Sequence, residues 1–217
     1  IGRQREMRGL TVRTSPSFGV RWLGPRIARF AEDNPDWAIR IDATPDLTAF
    51  ETEAVDCDLR YGLGDWSGLS VECFLHDLVL PVCSPDYADR LRAEGPDPAA
   101  QLRVARLIDS AKTLYRWDLW LAANGIELGR AGQPGPVYPF RFDRSSMSIE
   151  MAKQSGGVAL DSAALCLPEL QSGALVPLFP DLPVGEFAAY WLVCPSRHLA
   201  RRIVALFSDW LGAEAAA

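Results

Sequence analysis

Leu10-Thr11-Val12-Arg13-Thr14-Ser15-Pro16-Ser17-Phe18 begins as alternating apolar and polar residues and closes on a Ser-Pro-Ser turn. Side chains along an extended chain face opposite sides in turn, so the alternation predicts a strand over Leu10–Thr14. Ser15 to Ser17 predicts a turn that can cap a following helix. From Phe18 to Asn34 the apolar residues Trp22, Leu23, Ile27, Phe30 and Ala31 recur at helical spacing, and Pro25 is expected to kink or delay that helix. Asn34-Pro35 ends it, and Trp37 to Ile41 is the next predicted strand. A segment from Asp46 to Thr52, read as a second helical connection, leads to a third strand over Val55–Tyr61. This β-α-β-α-β order predicts the α/β class and a largely parallel sheet with crossovers on both faces.

Beyond Tyr61 the rhythm changes. Leu69 to Phe74 and Leu78 to Cys83 are apolar runs with no helix between them, which pair as a hairpin or cross over. Ser84-Pro85 breaks the chain and a second α/β set begins. Its predicted helices are Asp86–Glu94, Tyr115–Asn124, Ser145–Gln154 and Ala163–Gln171. Its predicted strands are Arg106–Asp109, Val137–Phe142 and Val158–Leu160, with Leu175–Phe179 extended. Gly95 to Pro98 and Gly129 to Pro136 read as Gly/Pro-rich loops. Tyr190 to Cys194 is a late strand, Ala200 to Leu211 a closing helix, and Ala213 to Ala217 a frayed tail. The simplest packing is two lobes of similar topology. Subdomain I would take residues 9–83 with 190–212, and subdomain II residues 84–189. A ligand is then expected in the cleft outside the carboxyl ends of the strands.

Composition narrows the function classes. The 217 residues carry 22 basic and 28 acidic side chains, a formal net charge of −6, which disfavours a module that grips phosphate backbones unaided. The clusters Arg3, Arg5, Arg8 and Arg197, Arg201, Arg202 read as solvated faces. Five cysteines at wide spacing form no C-x-x-C pair, and with two histidines they suggest neither a zinc site nor a disulfide framework. Buried thiols in a reducing cytoplasm are the simpler expectation. No apolar run approaches the ~20 residues that span a bilayer.

The order of short motifs then carries a resemblance. Leu10 to Phe18, Arg21-Trp22-Leu23-Gly24-Pro25 and Arg29-Phe30 are similar to the opening of LysR-type effector domains, in the branch that includes the glycine-cleavage and β-lactamase regulators. Asp58-Leu59-Arg60-Tyr61-Gly62 with Gly64-Asp65-Trp66-Ser67-Gly68, then Pro81-Val82-Cys83-Ser84-Pro85, resemble that branch's later motifs. Phe142-Asp143, Ser145-Ser146, Gly157 to Leu160 and Tyr190 to Val193 follow in the same order, so the likeness runs from about residue 9 to 212. It implies a periplasmic-binding-protein-like fold: two Rossmann-like subdomains joined by two crossover strands. It also implies a cytoplasmic sensor of a small polar or anionic effector, pairing as a homodimer or tetramer, with Phe18 to Phe30 one candidate pairing surface. DNA would be met only through an N-terminal helix-turn-helix lying outside these residues, with 1–8 as a linker-helix remnant.

Candidate effector contacts follow from both readings. Thr14, Ser15 and Ser17 lie where a strand meets a helix, and hydroxyls beside helix N-termini suit a carboxylate or similar anion, although N-capping explains Ser17 as well. Ser145 and Ser146 open a helix in the second lobe. Arg60, Tyr61 and Trp66 would line the cleft floor and rim, and Tyr190 sits on the returning strand as hydroxyl donor or packing aromatic. Gly62-x-Gly64 lacks the third glycine and helix of a dinucleotide site. Asp58 stands where the family resemblance places a small apolar residue, and Arg60, two residues on, shares its face and is the natural partner. No cofactor or metal is expected. Catalysis is not expected either, since no G-x-S-x-G elbow occurs and His76 has no marked nucleophile. A stand-alone solute-binding protein and a small-molecule enzyme on the same fold are the alternatives.

Overall fold

The computed structural model describes residues 8–52, 54–129 and 136–217. The chain divides into two compact units: Ile1–His76 with Ala188–Ala217, and Asp77–Phe187. The linker remnant, apart from Arg8, and residues 130–135 of the Gly/Pro-rich loop lie outside the described residues.

In unit one, β1 (Arg8–Thr14) pairs in parallel with β2 (Trp37–Ala43) on one side and with β3 (Cys57–Tyr61) on the other. Leu10, Val12 and Thr14 face one way and are wholly buried, as the period of two predicts. Between β1 and β2 runs one helical passage in three parts: α1 (Pro16–Phe18), a π-helical stretch Gly19–Leu23, and α2 (Gly24–Asp33). Pro25 has no N–H to give to the preceding turn. The wider π turn, closed by the Gly24 N–H on the Gly19 carbonyl, directly precedes it, so the expected kink takes the form of a π segment. Phe18, Trp22, Leu23 and Phe30 are buried, while Ala31 is exposed.

The anticipated second helix at Asp46–Thr52 does not form; the segment is irregular and turn-like. Both the Thr48 N–H and its hydroxyl are drawn to the Asp58 carboxylate, at 3.1 and 2.8 Å, and so do not enter a helical ladder. The two apolar runs after Tyr61 are a single strand, β4 (Ser70–Cys83), which begins in unit one and ends in unit two. They cross over and do not form a hairpin.

Unit two contains α3 (Pro85–Arg92), α4 (Pro98–Val104), β5 (Leu107–Ser110), α5 (Trp117–Ala123), β6 (Phe140–Phe142), α6 (Ser145–Lys153), β7 (Val158–Ser162), α7 (Ala163–Ser172) and β8 (Val176–Pro177). β5 pairs in parallel with β6 and β7, whereas β4 is antiparallel to both β7 and β8. Its core gathers Leu91, Leu102, Leu107, Trp117, Trp120 and Leu160, with the Trp117 indole N–H on the Ile108 carbonyl at 3.0 Å. Helix α4 lies just past the Gly/Pro-rich loop Gly95–Pro98, where the sequence pattern predicts no helix. Asp97 caps it by accepting from the Ala99 and Ala100 amides, and Pro98 fills the first helical position.

The chain returns through β9 (Gly185–Cys194), antiparallel to β3. The sheet pairing is therefore mixed where a largely parallel one was expected, because the two strands that change units, β4 and β9, run against their neighbours. A 3-10 turn (Ser196–Ala200) precedes α8 (Arg202–Ala216), which extends through the segment expected to fray. Glu214, near its end, ion-pairs with Arg29 and lies 3.8 Å from Arg26, tying α8 to α2.

Candidate functional site

Where β1 meets the first helix, Thr14 is 0% exposed and its Oγ1 has no hydrogen-bond partner among the described residues. Ser15 occupies the N-cap position, but its side chain caps nothing. Ser17 is the second residue of α1 and nearly buried, so the capping role considered for it does not apply. Gly19 makes the close approach possible: a Cβ there would stand 2.9 Å from Cγ2 of Thr14.

Registered residues on adjacent strands share a face, so Thr14, Leu59 and Leu192 point together, as do Tyr61 and Tyr190. Tyr190 is buried, stacks on Phe18 with ring centres 4.4 Å apart, and meets Tyr61 in a tilted contact at 5.2 Å. Phe18 also stacks on Trp22, which lies against Phe74. The structure thus brings Thr14, Tyr61 and Tyr190 to the same face of the unit-one sheet, with Ser17 beside Phe18.

Arg60 goes elsewhere. It faces the opposite side of β3 with Asp58, where its Nε bonds the Asp58 carboxylate at 3.1 Å and its Nη2 bonds the Thr48 carbonyl at 3.3 Å. Both ions are buried, and Thr48 supplies two further donors, so the paired arrangement foreseen for Asp58 is present. A guanidinium committed in this way is not presented at a cleft floor. Trp66 lies under the same guanidinium, 5.3 Å from its ring centre.

The glycines of the Gly62-x-Gly64 stretch are seats for indoles. A Cβ on Gly62 would fall 2.7 Å from Trp66, and one on Gly64, whose φ is +82°, would fall 2.8 Å from Trp191. The Trp191 N–H donates to the Gly62 carbonyl at 2.8 Å.

In unit two, Ser145 and Ser146 are half-buried at the start of α6, with Arg144 at the N-cap position and no side-chain cap. Arg144 instead grips the carboxylate and carbonyl of Asp143. Unit two also holds a buried polar cluster that reaches α6 at Ser148 and that no local sequence pattern marks. The Ser110 hydroxyl contacts Ser148 Oγ at 2.8 Å and the Asp161 carboxylate at 3.0 Å, and the Ser162 hydroxyl donates to Asp77 at 2.6 Å. Ser110, Asp161 and Ser162 end parallel strands or open a helix, the usual position for ligand groups in α/β sheets. Burial pushes the Asp77 carboxyl up to about 7; the Ser162 hydrogen bond opposes this and the charge of Asp161 adds to it.

His76 is exposed, and Nδ1 of His198 lies 2.8 Å from the Asp56 carbonyl. Arg201 is not merely solvated: it ion-pairs with Asp56, whose carboxylate also accepts the Thr11 N–H at 2.8 Å. Among the described residues no three His, Cys, Asp or Glu side chains gather to hold a metal, and no helix is long and apolar enough to cross a membrane.

Comparison with known proteins fits this geometry. Residues 3–216 match the LysR substrate binding domain family. The chain is 33% identical over 207 residues to the transcriptional regulator PerR of Escherichia coli, covering 95% of this chain and 66% of that protein. It is also 33% identical over 211 residues to the Escherichia coli glycine cleavage system transcriptional activator, covering 96% and 65%. The effector domain of the regulator AmpR from Pseudomonas aeruginosa superposes with a TM-score of 0.77 at 27% identity, covering 97% of this chain and 96% of that one. The chain spans about two thirds of the length of these curated relatives. An α/β pair of units joined by two crossing strands, with hydroxyls at strand ends, defines an effector-binding domain of the periplasmic-binding-protein-like fold. The chain belongs to the LysR substrate-binding domain family.

Proposed function

We propose that this chain senses a small polar or anionic molecule for a bacterial LysR-type transcription regulator. The hydroxyls of Thr14, Ser15 and Ser17 in unit one and of Ser145 and Ser146 in unit two are the proposed effector contacts. Tyr61 and Tyr190 supply aromatic walls, while Arg60, stacked on Trp66 across the sheet from them, acts only through its hold on Asp58. The whole regulator would work in the cytoplasm as a homodimer or tetramer, reading DNA through a helix-turn-helix outside these residues. The net charge of −6 supports leaving DNA to another part of the protein.

The observation that carries this reading is the orphaned Thr14 hydroxyl. A buried hydroxyl without a partner costs about 1–3 kcal/mol and is retained where a bound group satisfies it. A thermal-shift screen of amino acids, cell-wall fragments and aromatic acids tests the reading, since a ligand raises the melting temperature with ln(1 + [L]/Kd). Thr14→Val replaces the orphan with a methyl of the same shape and should leave the fold at least as stable while weakening the response about tenfold. An undiminished response in both Thr14→Val and Ser145→Ala would remove this pocket.

A further inference from the structure

Cys57 and Cys194 stand opposite each other across β3 and β9. Asp58 pairs with Val193 and Leu59 with Leu192 in an antiparallel register, so one step outward brings Cys57 against Cys194. The Gly62 N–H donates to the Ala189 carbonyl at 3.0 Å, which makes that couple a hydrogen-bonded pair. Hydrogen-bonded and non-hydrogen-bonded couples alternate along such a ladder. Arg60 with Trp191 and Asp58 with Val193 fall at the positions where mutual hydrogen bonds recur, and Cys57 with Cys194 falls at the open position. Open couples are the closer kind, with Cα atoms about 4.5 Å apart and side chains on one face. That separation lies inside the window of roughly 4.4–6.8 Å a disulfide requires.

Both residues are cysteines in the reduced form, 0% and 1% exposed, and each is deep in unit one. Burial raises the Cys57 thiol well above its usual range, with Cys194 and Asp58 adding to the shift. It pushes Cys194 up to about 11, with Glu72 contributing. No described strand pairing sets any of the other three cysteines against a cysteine: Cys83 is registered with Val176, Cys73 is half-exposed, and Cys83 and Cys166 belong to unit two.

We propose that Cys57 and Cys194 are a latent dithiol–disulfide couple, closed by hydrogen peroxide or another small hydroperoxide into a covalent clasp between β3 and β9. One sulfur attacks a peroxide oxygen, the O–O bond breaks, and the thiol's proton leaves with the departing oxygen as water. The second sulfur then attacks the resulting sulfenic sulfur, the S–S bond forms, the S–O bond breaks, and a second water leaves with the second proton. Two thiols and one peroxide give one disulfide and two waters, and the electrons that reduce the O–O bond come from the two sulfurs. Small-molecule dithiols reverse the step by exchange. Thiolate is scarce at neutral pH in this setting, so closure is slow and accelerates about tenfold per pH unit up to the thiol's own titration.

The test treats the chain with hydrogen peroxide at pH 7, 8 and 9, unfolds it, alkylates the remaining thiols and maps peptides without reduction. The expected result is a cross-link between the Cys57 and Cys194 peptides that forms faster at each higher pH and disappears on reduction. It should persist in Cys73→Ala and be lost in Cys194→Ala. Because the mapping works on the unaltered chain, it stands whether or not the variants fold. Recovery of separately alkylated Cys57 and Cys194 after Cys73 has been fully oxidised overturns the proposal, as does a cross-link that joins Cys73 to either of them.

Discussion

Asp58 and Asp77 are both buried carboxylates, and their partners set them apart. Asp58 has the Arg60 guanidinium and two Thr48 donors, whereas Asp77 has the Ser162 hydroxyl and the nearby charge of Asp161. Removing one member of a buried pair strands the other, so Asp58→Ala should cost about 3–5 kcal/mol in urea unfolding, more than replacing both Asp58 and Arg60 with apolar residues. For Asp77 the folded carboxyl titrates about 7 while its ordinary value is 3.8. The folded state therefore holds a proton that the unfolded chain has released between those two values. This contribution to stability is complete below the unfolded pKa and is lost as pH rises toward 7, a difference on the order of 4 kcal/mol. Asp77→Asn should flatten that decline in a series of unfolding curves from pH 4 to 8, and an unchanged slope would refute the assignment. The Asp58–Arg60 pair was legible because the residues stand two apart on one strand. The Asp77 cluster was not, since Asp77, Ser110, Ser148 and the adjacent Asp161 and Ser162 come from four places in the chain and no local spacing announces them.

Among the elements, the loop after β3 shows how a motif can be recognised without its mechanics being understood. Gly62 and Gly64 read in sequence as a weak nucleotide pattern, and the structure gives them as contact surfaces for Trp66 and Trp191. Gly64→Ala meets both a positive φ and an indole, so a loss of about 1–3 kcal/mol is expected on thermal or urea unfolding. Pairing Gly64→Ala with Trp191→Leu should restore part of it, provided the clash and not the backbone dominates. Helix α8 makes a second case. Its last turn is alanine-rich and looked like a tail, but Glu214 reaches Arg29 and Arg26 across from α2. Glu214→Gln should cost no more than about 1 kcal/mol, less at high salt, because the Arg29 side chain is largely exposed. Period-two alternation found β1, β2 and β3, and the 3.6 period found most helices. The failures came where a side chain or cap outweighed local pattern: Thr48 drawn to Asp58, and Asp97 starting α4 beside a run of Gly and Pro.

At the scale of the whole molecule, the α/β class was readable from the helix–strand rhythm, while the break in that rhythm at β4 left a hairpin or a crossover open and the two crossing strands followed only from the family resemblance. The mixed pairing was not, since strand direction depends on where β4 and β9 come from and not on their composition. Unit two is one uninterrupted stretch, Asp77–Phe187, whereas unit one is assembled from the beginning and the end of the chain. During synthesis the N-terminal strands β1 to β3 must therefore wait, with a sheet edge unfilled, until β9 and α8 have cleared the ribosome, by which time all of unit two has already emerged. All the residues of unit two are thus available to one another before those of unit one are, and the early strands are the segment that most needs shelter from stray pairing in the interval.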